Sequence, residues 1–456
     1  MSQEIYDVII VGAGLSGCYL GKLVAEKGFN VLIIERLSRE RIGDKVCGDG
    51  IGLHHFKRLG IPEPTGPELC MKITKSRVYA PDEKSFIDVE GEGFTVNRLY
   101  LGQRFLREAE KAGAKLLDQH QAYAPIIEGD QVVGVKVLDL RTGSRREFRC
   151  RVLVDASGVI PAIRLKLPRE WWVAEVPHRE DYCIAYREIR ELDVEVDDPS
   201  TIRIYLSSVI APGGYWWFFP KGKNVANIGL GLQWKRGAPN PLHQFRKYIE
   251  PRFPGRVVHG GGGIVPTRRP IWSFVWNGFV AIGDAACTAN PIHGGGIGPS
   301  LLSAYYAAEA IEKALVERPS VDVLWILNVR YMKDYGAKQA SLDLLRKFLQ
   351  KLSDEELNFL IKSGVVTGAE VYGMSSTGTL TVTLVSRIIS IVRALRKPSL
   401  LLKLKVLADY MSKVRELYLR FPLSPREFPK WKSEVEHILL QAHHDLELET
   451  GTTPLS

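Results

Sequence analysis

Cysteine is scarce. The 456 residues hold six, Cys18, Cys47, Cys70, Cys150, Cys183 and Cys287, and no two are spaced as CxxC. This excludes the common zinc and dithiol motifs and a disulfide scaffold; no metal is expected, and reduced thiols in a cytosol are. No apolar run reaches the roughly 18 to 20 residues that a membrane span requires. The opening residues, MSQEIYDVII, have neither a basic stretch before the apolar run nor a small-residue cleavage pattern, so a cytoplasmic chain is expected. Internal repeats and low-complexity tracts are absent, and no nucleic-acid-binding module is recognisable.

What is present is an ordinary globular composition, 45% hydrophobic and 25% charged. The length suits two or three domains of about 150 residues. The net charge is +9, from 61 basic and 52 acidic residues, which favours an anionic partner or surface. From Arg387 to Lys430, 11 Lys and Arg face three Asp and Glu.

Residues 6–35 read as strand, helix, strand: a β-prone run at Tyr6–Val11, helical spacing at Leu15–Lys27, and an apolar run at Val31–Ile34 that ends at Glu35. This alternation predicts a parallel sheet. Helical periodicity returns at Arg98–Gly113 and Gly298–Leu315. Val132–Val137, Val152–Asp155 and Phe279–Gly283 read as strands, and Gly260–Gly263 as punctuation. From Trp171 to Trp234 alternating aromatic-rich segments predict a second, antiparallel sheet. Beyond residue 320 the pattern is mainly helical.

VGAGLSG puts Gly12, Gly14 and Gly17 in GxGxxG spacing between the first strand and helix. Gly12 permits a tight turn, Gly14 lets backbone approach a pyrophosphate, and Gly17 lets the helix pack on the strand. The helix N-terminus offers free N–H groups to phosphate. Glu35 stands where a carboxylate accepts ribose hydroxyls. The fingerprint alone does not separate NAD from FAD. Two later segments favour FAD: VLVDASG at Val152–Gly158, and GFVAIGDAACTANPIHGGGIGPS at Gly278–Ser300. In the second, Asp284 is suited to ribityl or ribose hydroxyls, and a helix starting near Gly298 would direct its positive end at the flavin.

These segments, the KVCGDG loop (Lys45–Gly50), Arg98 at a helix start and the run YWWFFP (Tyr215–Pro220) followed by Gly229 and Gly231 resemble the geranylgeranyl reductase family, whose fold is that of p-hydroxybenzoate hydroxylase. The resemblance covers roughly residues 1–320 and is nearest to the archaeal phospholipid-reducing branch. It implies an α/β protein: a Rossmann-like FAD-binding domain (1–75, 96–165 and 260–320), an antiparallel-sheet substrate domain (76–95 and 166–259) and a helical C-terminal region (321–456). It implies FAD held by Gly12, Ala13, Gly14, Ser16, Gly17, Glu35, Arg36, Val46, Cys47, Gly48, Arg98, Ala122, Asp155, Gly158, Asp284, Gly295, Gly296 and Ile297. It further implies saturation of geranylgeranyl chains of archaeal-type lipids. Related monooxygenases carry a DG motif, associated with NADPH contact, where this chain has DASGVIPAIR (Asp155–Arg164). The external donor, NAD(P)H or ferredoxin, is left open.

The expected catalytic residues are Cys47, Tyr215, Trp217 and His55. Tyr215, Trp217 and Phe219 share one face of a strand and, with Pro291 and His293, are the expected substrate contacts. That face either packs as core or lines an apolar channel for a prenyl chain. Cys47 is either a proton donor or a residue that shapes the pocket. Of the adjacent His54 and His55, at most one faces the site. His293 is either functional or orders its loop. The stripe Val385, Ile388, Ile389, Val392 and Leu395, flanked by Arg387, Arg393, Arg396 and Lys397, is either a core helix or a membrane-surface element. A monomer, peripherally bound to membrane and without nucleic acid, is expected. The rival readings are a monooxygenase or halogenase of the same fold, and an RNA-binding flavoprotein.

Overall fold

The computed structural model describes residues 5–364, 366–378 and 398–448. In chain order the strands are β1 (Ile5–Val11), β2 (Val31–Ile34), β3 (Gly50–Gly52), β4 (Leu69–Tyr79), β5 (Phe86–Val96), β6 (Lys115–Leu117), β7 (His120–Glu128), β8 (Gln131–Asp139), β9 (Arg145–Asp155), β10 (Tyr182–Leu192), β11 (Thr201–Leu206), β12 (Tyr215–Pro220), β13 (Val225–Gln233), β14 (Gly255–Pro266), β15 (Val275–Trp276) and β16 (Phe279–Ala281). The helices up to residue 349 are α1 (Leu15–Ala25), α2 (Leu53–Leu59), α3 (Arg98–Lys111), α4 (Pro241–Gln244), α5 (Ile297–Val316), α6 (Val321–Leu324), α7 (Ile326–Tyr331) and α8 (Ala337–Leu349).

The strands form two sheets. The first runs β15-β16-β9-β1-β2-β6, with β8 beside β9 and β7 beside β8. Its centre is parallel: β1 pairs with β2 and β9, and β16 with β9. Val8, Ile9 and Ile10 of β1 and Val152, Leu153 and Val154 of β9 have no exposed surface. Burial on both faces explains why these strands read as continuous apolar runs rather than alternating ones.

The second sheet runs β14-β10-β13-β12-β11-β4-β5-β3. It is antiparallel apart from the β11–β4 pairing. Its strands begin earlier and end later than the expected 76–95 and 166–259, since β3, β4 and all of β14 belong to it. Gly260–Gly263 do not punctuate the chain; they lie inside β14, paired with Ala185–Glu188 of β10. Glycine has low strand propensity, so the sequence pattern hid this strand. The reason is close approach: a Cβ at Gly261 would stand 2.8 Å from Val46 Cγ2.

Beyond residue 320 the described chain is helical, and α8 packs against the helix Pro398–Leu419. Gln339 of α8 donates to the carbonyls of Arg268, Cys287 and Ala289, tying this region to the first sheet's loops. Trp325, Phe421, Phe428 and Trp431 form an aromatic cluster that closes the seam. No helix among the described residues is long and apolar enough to cross a membrane. The basic stripe at 381–395 lies outside the described residues.

The two faces of β12 part company. Trp216 and Phe218 enter a separate core with Ile228, Leu230 and Phe245. Trp216 is fully buried and stacks on Tyr205 with ring centroids 3.7 Å apart. Trp216→Ala should therefore cost about 3–5 kcal/mol, read as a lower denaturant midpoint.

Candidate active site

Gly12, directly after β1, has φ +106°, and a Cβ there would stand 2.5 Å from the Ala156 carbonyl oxygen. A Cβ at Gly17 would lie 2.0 Å from the oxygen of Gly12. These two glycines allow the turn and the close seating of α1. At Gly14 a Cβ would meet nothing within 4 Å, so this residue faces open space. Helix α1 has no side-chain cap and no acid in its first turn; its amino end is left for an anion. Ala13 is buried, and its N–H donates to Glu35 Oε2 at 2.8 Å. The Leu37 N–H donates to Glu35 Oε1 at 2.9 Å. These bonds aim the carboxylate and leave lone pairs for a ribose hydroxyl. Arg36 beside it is exposed. Ser16 packs against Gly283, where a Cβ would lie 3.0 Å from its Oγ.

Two expected ligands are turned inward. Asp155 has no exposed surface. Its carboxylate accepts from the Ser157 N–H and hydroxyl and from the N–H groups of Ile163 and Arg164. It orders its own loop and has no face for a cofactor. Arg164, at the end of the same motif, is fully buried and donates to the carbonyls of Ala285, Val173 and Glu175. Ala122 has its methyl in the main core. Gly158, at φ +99°, meets nothing within 4 Å of a built Cβ and stays accessible.

Gly294–Gly296 lead into α5, whose amino end also lacks a side-chain cap; Ile297, buried, begins it. A Cβ at Gly296 would come 3.2 Å from Asp284 Oδ1, while Asp284 Oδ2 accepts from Lys45 Nζ at 3.0 Å. Arg98 opens α3 and brings Nη1 to 3.6 Å from Cys47 Sγ. Its Nε is buried without a partner. These observations fit FAD: two uncapped helix ends, an open glycine, an aimed carboxylate at the ribose position, and an orphaned guanidinium donor.

Pro291 is buried. His293 orders its loop, its Nδ1 accepting the Gly295 N–H at 3.1 Å, and its carbonyl accepts from the Tyr215 hydroxyl at 2.6 Å. His55 lies against α5, where a Cβ at Gly298 would stand 2.2 Å from its Cε1. Burial, aided by the charge of His54, pushes its imidazole down to about 3, so it is neutral near pH 7 and a poor proton donor. His54 is exposed and lies tilted against it, 4.0 Å between centroids.

The Tyr215, Trp217 and Phe219 face of β12 lies on the Cys47 loop. A Cβ at Gly48 would stand 3.2 Å from the Phe219 ring and 4.0 Å from Trp217 Nε1. Trp217 and Phe219 are 7% and 8% exposed; Tyr215 is the more open. Beneath the loop lies a polar cluster that the sequence pattern did not reveal. Asn227 Nδ2 donates to the Cys47 carbonyl at 2.7 Å and to Asp49 Oδ2 at 3.0 Å, while its Oδ1 accepts from Trp217 Nε1 at 3.0 Å. Lys221 Nζ donates to Asp49 Oδ2 at 2.7 Å. Arg187 Nε donates to the Cys47 carbonyl at 3.2 Å. Its one signal in the sequence is Asn227 inside the otherwise apolar run of β13.

With this geometry, comparison with known proteins is decisive. A profile described as FAD binding domain matches residues 5–176, and one described as geranylgeranyl reductase catalytic domain matches 181–265. A digeranylgeranylglycerophospholipid reductase of Sulfolobus acidocaldarius is 38% identical over 98% of this chain and 100% of its own. The chain belongs to the geranylgeranyl reductase family. A second relative of that name, from Methanosphaerula palustris, is 30% identical over 89% of this chain and 99% of its own. Among solved structures, a geranylgeranyl bacteriochlorophyll reductase-like protein of Thermoplasma acidophilum superposes with TM-score 0.75 at 25% identity, covering 89% of this chain and 100% of that one. A flavin-dependent brominase, at TM-score 0.62 and 20% identity over 86% of this chain and 100% of its own, shares the fold.

Gly14→Val and Gly17→Val should separate two roles. Both should lose bound FAD, measured as flavin absorbance per chain. In FAD-stripped protein only Gly17→Val should lower the melting temperature, because only its side chain meets protein atoms. Lys221→Met should cost about 3–5 kcal/mol in denaturant unfolding, by leaving the Asp49 carboxylate buried and unpaired.

Proposed function

We infer that the chain is an FAD-dependent reductase that saturates the C=C bonds of geranylgeranyl chains in archaeal-type membrane lipids or their prenyl precursors. The observation that carries the reading is the aromatic face of β12 laid on the Cys47 loop, with Arg98 against the thiol and the uncapped end of α5 beside them. Residues of the first sheet bind the cofactor, those of the second sheet the substrate, and the helical region closes both.

Bound FAD, once reduced, supplies a hydride. An isolated trisubstituted alkene is not electron-poor, so the chain must also deliver a proton. Cys47 Sγ is the group suited to this. Arg98 Nη1, 3.6 Å away, stands where negative charge appears on sulfur as the proton leaves. The faces of Tyr215 and its aromatic neighbours stabilise positive charge on the tertiary carbon, by about 0.5–2 kcal/mol. The hydrogen bonds to the Cys47 carbonyl from Asn227 and Arg187 hold the sulfur in place. A substrate with a lipid tail places the protein at a membrane surface, peripherally.

The test is mass spectrometry after incubating the dithionite-reduced protein with a geranylgeranyl lipid, expecting one H2 gained per double bond. No mass gain would refute the activity. Cys47→Ala should keep its FAD and slow the reduction about a hundredfold or more, the loss typical of a removed general acid. Unchanged turnover would leave Cys47 a purely structural part of the loop.

A further inference from the structure

Helix α2 carries His54 and Arg58 four residues apart, on one face. Opposite them, Asp334 and Lys338 have the same spacing along the run from α7 into α8. One rung between these elements is neutral: Arg58 Nη2 bonds Asp334 Oδ2, and the Tyr306 hydroxyl donates to the same oxygen at 2.7 Å. The next rung brings His54 toward Lys338 and, among the described residues, holds no carboxylate. Lys338 is half-buried, with Nζ 4.4 Å from the centre of the Tyr335 ring. No carboxylate among the described residues forms an ion pair with it; Asp334 acts on it only at longer range. The Lys338 charge helps to hold His54 and His55 low, and burial together with Arg58 brings Lys338 itself down to about 8. A positive charge withdrawn from water without a counter-ion is unfavourable, and an anion settling beside it relieves that cost.

The position is suggestive as well. His55 of the same helix touches α5 at Gly298. The loop leading into α5 carries the His293 carbonyl that takes the Tyr215 hydroxyl. Through α5 and its leading loop, this rung is connected to the Tyr215 end of the aromatic face. We propose that Lys338, flanked by His54 and Arg58, binds the phosphate-bearing end of the prenyl lipid. The proposal rests on the reading of the chain as a prenyl-lipid reductase, and it gives the phosphate a seat within the described residues, apart from the basic stripe at 381–395.

The experiment compares wild type, Lys338→Met and Lys338→Arg on a geranylgeranyl phospholipid and on geranylgeraniol, which lacks phosphate. In Lys338→Met the ratio of kcat/KM for phospholipid over alcohol should fall about tenfold, chiefly through KM, with FAD per chain as in wild type. Lys338→Arg should restore most of the ratio. Inorganic phosphate that competes with the phospholipid in wild type and not in Lys338→Met supports a seat for the phosphate group itself. A lowered ratio without such competition supports a seat for the esterified head group. An unchanged ratio in Lys338→Met overturns the proposal, as does an equal loss on both substrates. Wild type that reduces neither compound overturns the underlying activity instead. Should Lys338→Met fail to fold, the same ratio in His54→Gln decides: a fall supports the proposal, and no change overturns it.

Discussion

The carbonyl of Cys47 accepts from Asn227 and Arg187, which reach it from β13 and β10. Asn227 bonds at once to this carbonyl, to Asp49 and to Trp217, and Lys221 neutralises Asp49. Asn227 has no exposed surface, and Asp49 is 2% exposed, with φ +65°. The shared bonds hold these members together, with Asp49 Oδ2 taking two of them and Oδ1 buried without a partner. Its effect is to lock a loop that leads from the FAD-binding half onto a strand of the other half. The thiol, the Arg98 guanidinium and the aromatic face are thereby held in one arrangement.

The aromatic strand acquires its two roles from this lock. Trp216 and Phe218 belong to a dry core that keeps the second sheet rigid. Trp217 and Phe219 support the loop, and Tyr215 reaches across to the His293 carbonyl. One strand thus presents a core face and a second face to the Cys47 loop, because successive side chains point to opposite faces. Glycine does matching work from the other side. At Gly261 a Cβ would stand 2.8 Å from Val46 and at Gly48 3.2 Å from the Phe219 ring, so both glycines favour the close seating of the loop.

Asp155 and the histidines show how sequence position misleads about access. Asp155 ends a central parallel strand, where ligands of such folds gather, yet its four donors all come from the following loop. His55 stands within the site region, but burial removes its charge. Neither fact is encoded in residue type or spacing; both depend on how much water reaches the side chain.

The nucleotide fingerprint is legible because its turn, helix and terminal acid all lie within residues 12–35, although the close approach at Gly12 is to Ala156, far along the chain. The apolar runs likewise announced the parallel sheet, since burial on both faces leaves its mark on every residue. Fold class and family followed from the sequence by itself. The polar cluster under Cys47 and the membership of β14 in the second sheet join residues far apart in the chain. Asn227 lies 180 positions from Cys47, and Lys221 lies 172 from Asp49. Their meaning is a matter of burial and partner, and only the packing of the two sheets and the helical region decides which polar groups are buried and which of those are satisfied.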